Sequence, residues 1–116
     1  MRRVIDELVE DALRELADES CQRELWMAAS GPEVSSFTEC QSRLLDDSGL
    51  GSALDATDVV YDQRIDERLR DLARVLAGID DSRSPQAILD DPQLGRARTM
   101  ASALLEDLRR FGSDDA

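Results

Sequence analysis

From Val4 to Ala17 the apolar residues come in adjacent pairs, one helical turn apart: Val4-Ile5, Leu8-Val9, Ala12-Leu13 and Leu16-Ala17. A β-strand cannot use this pattern, because it sends neighbouring side chains to opposite faces. On a helix, at about 100° per residue, each pair sits about 40° further round than the last. The apolar face is therefore broad and spirals slowly, and such a helix needs two neighbours to cover it. The spacing predicts a helix over residues 2–17 with Asp6, Glu7, Glu10, Asp11 and Glu15 outside. Acids in its first turn suit the positive end of the helix dipole.

The same stripe cannot run on to Ala29, since Leu25 and Trp26 fall off it. A break is expected at residues 18–20, where Asp18 and Ser20 are both good N-caps. A short helix over 21–29 follows, stopped by Gly31 and Pro32. Ser36-Phe37-Thr38-Glu39 reads as a capping box opening a helix to about Asp47, with Gly49 as its stop. Leu50-Gly51 reads as a linker, and Ser52-Ala53-Leu54-Asp55 as a second capping box.

Residues 52–77 contain a conflict. Ile65, Leu69, Leu72, Ala73 and Leu76 share one face, but extending that helix backwards places Asp58 and Asp62 on it. A buried carboxylate without partners costs several kcal/mol. The helix is therefore expected to break near Asp62, with that residue as N-cap, or to lie at a bundle edge open to water. Gly78 stops it, with Ile79 in the capping contact. Ser84-Pro85 opens a short helix to Leu89, and Asp91-Pro92 opens the last one. Leu94, Ala97, Ala101, Leu104, Leu105, Leu108 and Phe111 line its face, and Gly112 is expected to end it. The expectation is an all-α chain: one compact bundle of about five helices plus one short helix over 1–111, then a disordered acidic tail over 112–116.

The charge limits what such a bundle can bind. Twenty-six acids face 14 basic residues, a net of −12. All the basic residues are arginine, and Lys, His and Asn are absent, which points to a GC-rich, bacterial genome. The acidity argues against nucleic acid and against anionic membranes. It suits a basic protein partner, because complementary charge steers association. After Met1-Arg2-Arg3 the chain meets Asp6 and Glu7 at once, and no apolar run approaches the ~20 residues of a membrane span. These features lead to an expectation of a cytoplasmic protein.

Chemistry is hard to find. Without histidine, Ser-His and Cys-His nucleophile systems are excluded. Cys21 and Cys40 fall on apolar faces, where small buried hydrophobes are the ordinary reading. Glu7-x-x-Glu10 and Asp55-x-x-Asp58 are similar to the paired carboxylates of all-α nucleotide pyrophosphohydrolases, and Glu7, Glu10, Asp58 and Asp62 would be the magnesium set. The second pair is Asp-Asp, however, and its distance along the chain is too long for that family. Carboxylate pairs at this spacing also arise by chance in so acidic a chain. The committed reading is no catalytic residue, no metal and no cofactor. Residues 25–37 hold the single Trp and one of two Phe residues. Trp26 is either a core anchor or the aromatic centre of a protein-binding patch.

The leading expectation is an acidic protein-interaction module. In type it resembles the immunity proteins and antitoxins that bind bacterial toxins, which are compact, acidic and without catalytic residues. The acidic candidates are Asp6, Glu10, Asp55, Asp58, Asp62 and Asp66, with Trp26 as anchor. The alternative is a self-associating subunit, a homodimer packing its first and last helices across a two-fold axis. A magnesium enzyme ranks third.

Overall fold

The last helix is the pillar on which the rest of the chain leans. The computed structural model describes residues 4–28, 36–56 and 59–114. Seven α-helices and one π-helical segment follow one another, with no strand among the described residues. They are α1 (Asp6–Ala17), α2 (Glu19–Ala28), α3 (Phe37–Ser42), the π segment (Arg43–Asp47), α4 (Leu50–Asp55), α5 (Gln63–Ala77), α6 (Pro85–Leu89) and α7 (Pro92–Asp114). The radius of gyration is 14.1 Å. A single compact domain of this length is expected near 13 Å, roughly the same, so the chain forms one body.

Leu94, Ala97, Ala101, Leu104 and Leu108 of α7 are buried between α1 on one side and α5 on the other. Helix α1 contributes Val9, Ala12, Leu13 and Leu16, and α5 contributes Ile65, Leu69, Leu72 and Leu76. The spiralling face of α1 does meet more than one neighbour: α7 on one flank, and α3 with the π segment on the other. Several of these leucines are fully enclosed. Truncating one to alanine in such a core costs about 2–5 kcal/mol.

The break after α1 falls at Asp18, whose extended backbone (φ −109°, ψ 101°) ends the helix. Asp18 Oδ1 then accepts the Cys21 N–H at 3.1 Å and opens α2. Gln22, one turn on, has no exposure at all. Its Nε2 donates to the carbonyls of Glu15 and Leu16, two of the orphan acceptors at the end of α1. Trp26 is also buried, its ring edge-on to Phe37 at 6.0 Å and its Nε1 donating to Glu15 at 2.9 Å.

Ser36 caps α3 as expected, its Oγ accepting the Glu39 N–H. The helix widens at Arg43, and the Ser48 N–H reaches back to the Arg43 carbonyl. Gly49 supplies the expected stop, at φ 81°, where only glycine sits without strain. Leu50-Gly51 is not a linker. It is the first turn of α4, because Leu50 is wholly buried in the core. Ser52 therefore lies inside a helix, and the second capping box opens none.

The conflict in residues 52–77 resolves as a break. Asp62 caps α5, with Oδ1 accepting the Ile65 N–H at 2.7 Å. Asp66, one turn later on the apolar face, is buried too. Both of its oxygens are filled, by the N–H groups of Val60 (2.8 Å) and Tyr61 (3.0 Å). Ser84 and Pro85 open α6, and Asp91 accepts the Gln93 N–H at the start of α7. Helix α7 continues to Asp114, past the expected stop at Gly112, so most of the anticipated tail is helical. Phe111 lies outside the core cluster, 36% exposed.

Candidate functional site

The end of the molecule where α1 begins and α7 approaches its last turns carries a distinctive group of side chains. Aspartate 66 pins the backbone of residues 60 and 61, and this turn throws the Tyr61 ring outwards. The ring lies edge-on to Phe111, with centroids 5.7 Å apart. Its hydroxyl donates to Asp6 Oδ1 at 2.9 Å. One tyrosine thus links the 59–61 turn, α1 and α7. Burial of the ring, then the hydrogen bond to Asp6 and that residue's charge, push the phenol well above its ordinary value.

Among the described residues the exposed large hydrophobic side chains are Ile5 (45%), Val59 (65%) and Phe111 (36%). Ile5 precedes Asp6, Val59 lies two residues before Tyr61, and Phe111 touches Tyr61. All three therefore belong to this one corner. Its margin is acidic. Asp6, Glu7 and Asp62 are exposed there. Asp47, also exposed, is brought alongside by the hydrogen bond from the Ile5 N–H to the Ser48 carbonyl. None of these four carboxylates is ion-paired to an arginine among the described residues.

The residues singled out from sequence divide sharply. Asp6 and Asp62 sit at this corner. Glu10 faces solvent on α1 and pairs with Arg14 at 3.6 Å. Asp55 is exposed in a cleft of about 550 Å³ between α4 and α5, opposite Arg70 and Arg74. Asp58 lies outside the described residues. Asp66 is not a surface acid: it is buried, and its two oxygens hold the 60–61 backbone. Trp26 is not a surface anchor: it is 2% exposed and packed on Phe37. Both positions follow from local folding that residue spacing alone does not show.

The residues overlooked by sequence reasoning are Ile5, Val59, Tyr61 and Phe111. The signal for two of them is the apolar run Val59-Val60-Tyr61, set immediately before the cap Asp62. An apolar run outside any helix must either be covered or be used.

Other chemistry does not assemble among the described residues. No group of three or more Asp, Glu, Cys or His side chains is placed to hold a metal ion. Both cysteines are free thiols. Burial, followed by the Glu15 charge, raises the Cys40 thiol far beyond the neutral range, and its Sγ–H points at the Ala12 carbonyl. Burial and the charges of Glu15, Asp18 and Glu24 raise Cys21 as well. Neither has the lowered pKa of a reactive cysteine. In the cleft beside Asp55, Arg70 donates twice to the Leu54 carbonyl and so closes the end of α4. No helix among the described residues is long and apolar enough to cross a membrane.

No known protein-family model matches the chain, and none of the curated proteins or solved structures compared with it is similar to it.

Proposed function

We propose that this chain is a protein-interaction module without a catalytic role, which binds a basic protein and is steered to it by charge. The observation that carries this reading is an imbalance in how charges are used. Every described arginine except Arg96 is engaged within the chain. Arg14, Arg23, Arg43, Arg64, Arg68, Arg74, Arg83, Arg98, Arg109 and Arg110 pair with carboxylates, and Arg70 bonds the Leu54 carbonyl. The acids are in surplus. Glu7, Glu24, Glu39, Asp46, Asp47 and Asp55 are exposed and have no arginine partner among the described residues. The field seen from outside is therefore that of the net −12 charge. Such a field raises the on-rate for a positive partner and repels phosphate and anionic lipid. A compact, acidic binder of this kind is of the same type as toxin-neutralising immunity proteins and antitoxins.

The test is affinity capture from a GC-rich bacterial lysate at low and high salt, followed by kinetics with the recovered protein. The expected outcome is a basic partner, released at high salt, whose association slows when Glu7, Asp46, Asp47 and Asp55 are made amides. An association rate indifferent to both salt and these changes removes charge steering. Asp62 and Asp66 are unsuitable for that experiment, since one caps α5 and the other holds the 60–61 turn.

The apolar stripes of α1 and α7, on which a two-fold homodimer would depend, pack on each other inside the chain.

A further inference from the structure

The interaction reading leaves open which part of the surface meets the partner, and the Tyr61 corner answers it. We infer that Ile5, Val59, Tyr61 and Phe111 form the apolar centre of the binding surface, and that its occupant is a basic protein segment presenting a large apolar side chain between Lys or Arg residues. This inference rests on the interaction reading and names its surface.

Single apolar side chains scattered over a surface are ordinary, whereas a gathered patch with a polar rim marks a binding site. Here all the exposed large hydrophobics of the described residues fall around one tyrosine. The patch is also built to keep its shape. Asp66 fixes the 60–61 backbone, Asp6 fixes the phenol, and the Tyr61 ring braces Phe111. A rigid aromatic centre loses little conformational entropy on binding.

The rim decides the occupant. Asp6, Glu7, Asp47 and Asp62 surround the patch without ion-pair partners among the described residues. The nearby cations, Arg64 and Arg110, are spent on Asp107 and Glu106. A second copy of the chain would set acid against acid on this rim, at a cost in repulsion. A segment with cations on either side of an apolar residue would satisfy both the rim and the centre. The arrangement of an apolar core within a charged rim is the ordinary anatomy of a protein–protein interface.

The experiment uses a synthetic helical peptide with a leucine stripe flanked by lysines, and a twin with serine in place of leucine. Each is titrated into the isotopically labelled full chain, and backbone amide shifts are followed. The expected result is perturbation centred on residues 4–7, 59–61 and 107–111, with the leucine peptide binding about tenfold more tightly than its twin, as expected when an apolar anchor fills a patch. Val59→Ser and Ile5→Ser should each remove that preference while leaving the melting temperature unchanged, because both side chains face solvent. Phe111→Ser should act in the same direction. If both peptides bind equally, with shifts spread over the acidic faces, the charge-steered reading stands and the corner is overturned. If neither binds, both fall. Corner shifts that move with protein concentration in the absence of peptide overturn the occupant in favour of a second copy. If the leucine peptide binds only after residues 1–3 are deleted, the chain's own Met1-Arg2-Arg3 is the occupant and the inference is overturned.

Discussion

Arg98 donates its Nε hydrogen to the side-chain oxygen of Gln22 at 2.7 Å, joining α7 to a residue of α2 that has no solvent exposure. The Gln22 amide simultaneously closes the last carbonyls of α1, and Arg98 reaches on to the Leu89 carbonyl at the end of α6. Four helices thus share one polar knot, and three of its bonds involve main-chain acceptors that would otherwise be buried without partners.

Replacing Gln22 by Leu keeps much of the volume and loses every one of those bonds. Leaving buried acceptors and a charged donor unpaired costs about 1–3 kcal/mol. Urea unfolding should show that loss. Arg98→Met should cost a similar amount, and the double variant less than the sum, because the two changes break one shared network. Strict additivity would show that the two side chains act independently.

Asp66 and Asp62 should separate cleanly as two kinds of structural acid. Asp62→Ala removes an N-cap and should cost about 0.5–2 kcal/mol. Asp66→Asn leaves a single acceptor oxygen for two buried N–H groups, with a loss of about 1–3 kcal/mol for the one unpaired. Amide hydrogen exchange adds a readout that stability does not. In Asp66→Asn the amides of Val60 and Tyr61 should lose protection out of proportion to the rest of the chain, whereas Asp62→Ala should leave them bonded.

Tyr61 is the single tyrosine, so phenolate absorbance reports it alone. Burial and the Asp6 hydrogen bond place its folded-state value above the ordinary 10.0. Its contribution to stability is therefore fully present below pH 10 and is lost as the pH rises from there towards the folded-state value. The native chain should titrate later than the urea-unfolded chain, and Asp6→Asn should move the native curve part of the way back. Coincident native and unfolded curves would show that the ring is not held as described.

The two thiols should differ under a disulfide-exchange reagent at neutral pH. Cys40 is buried and hydrogen-bonded to the Ala12 carbonyl, so it should react only through unfolding. Cys21 is partly exposed and should react first, though more slowly than a free thiol because its pKa is also raised. One fast and one slow equivalent in the native state, converging in denaturant, is the expected record.

The helices were legible where packing and spacing agree. The stripes of α1, α5 and α7, the Ser36 and Ser84 caps, the stop at Gly49 and the break at Asp62 can all be read from residue order, because each follows from geometry within a few positions. The polar interior was not legible. Gln22 and Asp66 are buried because they answer main-chain groups of other segments, and residue spacing carries no trace of such distant partners. Trp26 and Phe111 changed places for the same reason. One found Phe37 and Glu15 to cover it, while the other overran the pillar and met Tyr61 at the rim. Of the acidic candidates, Asp6 and Asp62 reach the corner, but the aromatic and aliphatic side chains that give the corner its character come from three stretches distant in sequence.

The wide turn at Arg43–Asp47 fixes the spelling of the chain between Cys40 and Gly49. A π-helical turn holds one residue more than an α-helical turn. Deleting one residue there would let the helix close to α geometry and rotate everything after it by about 100°. Ser48 would swing away from the Ile5 N–H it now accepts, and Leu50 would leave the core. The segment should therefore tolerate exchange of its exposed side chains far better than the loss of a single codon, and length rather than identity is what it hands down.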